Sequence, residues 1–161
     1  PPRPAPYLLP ELTHTAVSAP VLAPVRATFR AVAATVVPET VALESEGWAT
    51  LEAAVERALA QRPERMRRQL VLFLRAIELL PLFTERGRFS RLGPDVRFRV
   101  LKALERAPWL IVRRGVWGLR TLVMLGYYTQ PAVQSAIGYR AHPEGWGARR
   151  RSGEHPVVEA P

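Results

Sequence analysis

The residues able to do chemistry are few and far apart. The three histidines, His14, His142 and His155, fall in stretches that read as loops or tails, and the chain has no cysteine. Thiol catalysis, disulfides and cysteine-based metal sites are therefore excluded. No Glu-x-x-His pair sits on a helical stretch, which disfavours a di-iron carboxylate bundle. His-Glu-x-x-His, Gly-x-Ser-x-Gly, a phosphate-cradling glycine loop and the dinucleotide glycine fingerprint are all missing. Gly115-Val-Trp-Gly118 and Gly145-Trp-Gly147 hold closely spaced glycines, but neither leads from a strand into a helix. Nearly every Glu has an Arg within helical reach, the pattern of solvated ion pairs rather than of a general acid and base. The chain reads as a non-enzyme that holds no cofactor or metal of its own.

Charge is the stronger signal. The formal charge is +9, the pI is about 11.2, and Lys102 is the only lysine among 23 basic residues. Residues 62–151 carry nineteen basic and six acidic residues, so this middle part holds the whole positive excess. Such a field favours an acidic protein face, anionic lipid or nucleic acid. Nucleic acid is disfavoured, because the Arg62–Arg120 surface lacks interleaved stacking aromatics and base-reading side chains. A basic nucleic-acid-binding module remains one alternative. A peripheral membrane module, laying the Trp109–Tyr128 region and its arginines on anionic lipid, is the other.

The elements that would position these residues are helices. Residues 1–23 form a proline-rich, extended arm in which Tyr7, Leu8 and Leu9 are apolar enough to cover another surface. A first helix is expected from Pro24 to Val37, an acidic connector to Gly47, and a second helix from Trp48 to Ala60 with Glu52 and Glu56 outward. The run from Pro63 to Phe83 is apolar on more than one side and predicts a central, buried helix, with Arg75 and Glu78 pairing on its least buried edge. A basic loop follows, with Phe89 as its anchor into the core. A fourth helix should then run over 94–107, with Arg97, Arg99, Lys102 and Arg106 outward. Trp109 to Tyr128 predicts a fifth helix, whose stripe of Gly115, Gly118, Leu122 and Gly126 implies a close seam with the central helix. Substituting Leu for Gly118 should therefore destabilise the fold. Residues 131–137 give a short sixth helix with Gly138 as its stop, and 141–161 an irregular tail. The fold class is thus all-α, one helical domain over 24–140 between two arms. The corner from Tyr127 to Tyr139 should be pinned by the tips of Tyr128 and Tyr139.

That corner carries a resemblance. Leu125-Gly126-Tyr127-Tyr128, through Pro131, to Ile137-Gly138-Tyr139 is similar to the closing motif of the gluconate 2-dehydrogenase subunit 3 family. Thr28-Phe29-Arg30-Ala31-Val32-Ala33-Ala34-Thr35-Val36-Val37-Pro38 resembles the family's opening helix, and Arg88-Phe89-Ser90-Arg91-Leu92 with Val100-Leu101 its middle stretch. A similar region precedes the flavin domain of long-chain fatty alcohol oxidases. The resemblance implies a small, non-catalytic accessory subunit of an FAD-dependent oxidoreductase of the glucose–methanol–choline (GMC) type, acting on an alcohol or sugar. FAD would sit in the partner, and this chain would stabilise it, help its export or dock it at a membrane. Family members often carry a twin-arginine export signal; none is visible before Pro24. By resemblance the location is periplasmic or at the membrane periphery. The expected contact residues are Tyr7, Leu8 and Leu9 of the arm, Tyr127, Tyr128, Pro131 and Tyr139 of the corner, and Trp146 of the tail.

Overall fold

The computed structural model describes residues 19–139. Among these the chain is all helical, with no strand. Five long helices, α1 (Arg26–Val36), α2 (Ser45–Ala60), α3 (Glu64–Leu79), α5 (Pro94–Glu105) and α6 (Leu110–Tyr128), are joined by two short ones, α4 (Pro81–Thr84) and α7 (Pro131–Ala136). Short 3-10 turns lie at Ala23–Val25, Pro38–Ala42 and Phe89–Arg91.

Local chemistry accounts for most boundaries. Pro81 cannot donate to Ile77, so α3 stops at Leu79 and restarts as α4. Pro94 and Pro131 open α5 and α7 at first-turn positions, where a missing N–H costs nothing. Gly138, at φ 66°, takes the left-handed conformation that ends the last helix. The folded part starts earlier than Pro24. Leu22 is buried, and Glu56 of α2 accepts the N–H groups of Val21 and Leu22 at 3.0 and 2.7 Å.

The deepest helix is α1, not α3. Phe29, Val32 and Ala33 are fully enclosed, and α1 packs against α3, α5, α6 and the Phe89 turn. Phe89 is buried, as its place in the loop predicts. On α3 only Leu74 and Ile77 are buried, while Leu72, Leu79 and Leu80 lie exposed and Phe83 beyond it is 89% exposed. An all-round apolar helix meets neighbours on several sides only where enough chain is present to surround it. Here α1 and the 3-10 turns at 23–25 and 89–91 pack on α3, and Leu72, Leu79 and Leu80 are left uncovered.

Inward-facing carboxylates tie the helices together, where the sequence reading expects solvated pairs. Glu52 turns inward at 9% exposure and holds Arg26 at 3.1 Å and Arg30 at 2.6 Å, with Arg30 lying 5.0 Å over the Trp48 ring. Glu78 does not pair with Arg75. It accepts the Thr28 hydroxyl (3.0 Å), the Ser90 N–H (3.1 Å) and the Ser90 hydroxyl (2.7 Å), joining α3 to α1 and to the Phe89 turn. Arg97 is also drawn in from the expected outer face and donates to the Ala31 carbonyl at 3.4 Å.

A candidate partner-binding groove

The glycine stripe of α6 is split between two tasks. Gly126 lies against α2, where an added Cβ would stand 3.0 Å from both the Leu51 carbonyl oxygen and its Cγ. This is the close helix seam, made with α2 rather than with α3. Gly115 faces the ring of Phe73 on α3, whose nearest carbon lies 2.8 Å from the position a Cβ would take. Gly118 faces open space, with nothing within 4 Å of an added Cβ. The predicted clash at Gly118 is therefore corrected: the seam lies eight residues further on.

What Gly118 faces is a groove of about 830 Å³ between α3 and α6, floored by Ala58 and Leu59 of α2. Leu70 and Phe73 of α3 and Leu119 and Leu122 of α6 line its depth, while Met66, Leu72, Ile111 and Leu125 stand exposed along it. Outside it, Trp109 and Trp117 are 68% and 71% exposed. Side chains of this size form an exposed apolar patch beside the groove, of the kind that a domain gains by covering. Of the aromatics on or beside α6, Trp109, Trp117 and Tyr128 are exposed and Tyr127 is half-buried.

The groove is polar only at a few points. Arg62, Arg114, Gln69 and Thr121 border it, and among the described residues no Asp or Glu does. Along its whole length α6 carries Arg113, Arg114 and Arg120 and no acidic residue. Among the described residues, a carboxylate of α5 pairs with α6. Glu105 takes Lys102 at 3.1 Å and also Arg120, closing a small cleft of about 150 Å³ on the opposite side of α6. Partial burial pushes the Glu105 carboxyl up, but hydrogen bonds and charge from Lys102 and Arg120 outweigh it and hold the group below its ordinary value.

The corner predicted from sequence is real but differently held. Tyr127 and Tyr128 meet edge to face with ring centroids 5.3 Å apart, and Pro131 and Tyr139 belong to the same turn. The pins are backbone and amide groups: the Gln134 amide donates to the Tyr128 carbonyl at 3.0 Å, and the Tyr139 N–H to the Gln134 carbonyl at 2.8 Å. Tyr128 and Tyr139 are exposed, so their tips do not anchor the turn. Burial pushes the Tyr127 hydroxyl above its ordinary value, with Glu39 and Tyr128 adding to the shift. Tyr128 lies three residues beyond Leu125, so the exposed face of α6 runs from the groove to the corner. Tyr7, Leu8, Leu9 and Trp146 lie outside the described residues, as do the three histidines.

Among the described residues no three His, Asp or Glu side chains converge on a metal position, and no helix is long and apolar enough to cross a membrane. The groove is the feature that sequence reasoning missed. Its signal was present in the all-round apolar character of α3 combined with an α6 that is apolar and aromatic on its outer side. No protein-family model, no curated protein and no solved structure matches this chain.

Proposed function

We propose that this chain is a non-catalytic subunit that binds and stabilises a larger protein through the groove between α3 and α6. The observation supporting a binding role is the groove itself, about 830 Å³ and flanked by exposed Met66, Leu72, Ile111, Trp117 and Leu125. Surfaces with several large exposed apolar side chains around a concave centre are the usual seats of partner anchors. The partner we propose is an FAD-dependent oxidoreductase of the GMC type acting on an alcohol or sugar. Its identity rests on the resemblance carried by 28–38, 88–92 and 125–139, and the flavin would belong to that partner.

The test is affinity purification of the tagged chain from its own cells, followed by the visible spectrum and composition of the eluate. A stoichiometric GMC-type flavoprotein with its flavin absorbance supports the reading. A chain that elutes alone, or with a partner free of flavin, contradicts it.

A further inference from the structure

Resting on the reading of this chain as a partner-binding subunit, we propose that the groove between α3 and α6 seats an acidic amphipathic helix of the partner. Shape and charge select this occupant together. From Ile111 to Leu125 the α6 wall covers about 21 Å, the length of roughly fourteen helical residues. Two helical walls over an apolar floor form a setting in which a third helix can bury one stripe at i, i+3, i+4 and i+7 spacing. The depth of the groove argues against a flat bilayer, which would touch the exposed Ile111 and Trp117 but not reach Phe73 or Leu119 below them.

Charge decides what flanks the inserted stripe. Arg62, in the turn before α3, and Arg114 of α6 border the groove, and among the described residues no carboxylate lines it. Glutamates or aspartates beside the stripe of an incoming helix would meet both, and the guanidinium groups would donate to them in forked geometry. A second copy of this chain is disfavoured by the same residues. A two-fold contact over the groove would set two basic grooves, on chains of formal charge +9, against each other. Charge complementarity of this kind chiefly sets specificity and on-rate, so binding should weaken with salt.

The test uses the full chain and a designed probe. The probe is a stapled helix of about fourteen residues with a leucine stripe and glutamates elsewhere; its twin carries lysines in place of the glutamates. Fluorescence anisotropy should show the acidic helix binding at least about tenfold more tightly than the basic twin. Gly118→Trp, which fills the groove from a position with free space, should abolish binding while leaving the melting temperature near that of the parent. Arg114→Glu should erase the preference between the twins. Equal binding of the twins, or full binding by a folded Gly118→Trp variant, would overturn the proposal. So would binding that appears only after residues 1–18 are removed, which would assign the groove to this chain's own leader. A dimer in sedimentation, or attachment to phosphatidylglycerol vesicles, would likewise reassign the groove if Gly118→Trp abolished it. The two readings fail separately. Flavoprotein capture that survives Gly118→Trp removes the groove helix alone, and acidic-helix binding without any flavoprotein partner removes the oxidoreductase reading alone.

Discussion

The ring of Phe73 on α3 lies against the bare backbone of Gly115 on α6, with its nearest carbon 2.8 Å from where a Cβ would stand. This contact joins α3 to α6 within the lining of the groove, and three residues on, at Gly118, the space beside the helix is open. A glycine stripe that reads as one seam is therefore a seam at Gly126, a ring seat at Gly115 and a groove wall at Gly118.

Three alanine variants separate these roles. Gly126→Ala should destabilise by about 1–3 kcal/mol, since the Leu51 backbone oxygen cannot yield without moving α2. Gly118→Ala should stabilise by up to about 1 kcal/mol through helix propensity, with no steric cost. Gly115→Ala should fall between them, because the Phe73 ring can swing into the groove. Urea denaturation of the three variants gives the order, and equal midpoints would remove the distinction.

Glu78 should matter more than its neighbour Arg75. Glu78→Ala strands the Thr28 hydroxyl and both Ser90 donors and should cost about 2–3 kcal/mol. Arg75 is exposed and makes no ion pair among the described residues, so Arg75→Ala should stay within about 0.5 kcal/mol. Thermal unfolding of both variants checks the contrast.

How much of this was legible follows from which forces act locally. The helices, the break at Pro81, the proline starts and the Gly138 stop are set by residues within a turn or two, and they read directly from sequence. The inward turn of Glu52, Glu56 and Glu78 did not. Each is held by a group 12 to 50 residues away, including Ser90 and Thr28, and helical spacing says nothing of such partners. The exposure of Leu72, Phe83 and Trp117 was hidden for a different reason. Apolar character does not by itself say that a residue is covered, since much of any folded surface is apolar.

Acid should unpick one of these ties. The folded Glu105 carboxyl sits below its ordinary value, so its contribution is present above the unfolded carboxyl range of about 4.3 and is lost as pH falls through the folded value. Glu105→Gln should thus be less stable than the parent near neutral pH, with the gap closing in strong acid. A gap that stays constant with pH would show that Glu105 does not act through its charge.

Tyr127 works in the opposite direction. Its folded value is raised, so the neutral phenol's contribution is complete below the unfolded value of about 10 and is lost as pH rises through the folded one. Spectrophotometric titration of Tyr127→Phe against the parent should show the loss of a late-titrating phenol.

The most direct measurement of the central claim is flavin recovered with the tagged chain in the parent and in Gly118→Trp, each purified from cells holding the same partner and each checked for an unchanged melting temperature. The groove as partner seat predicts stoichiometric flavin with the parent and a fall to background with Gly118→Trp. Equal flavin in the two eluates would contradict it.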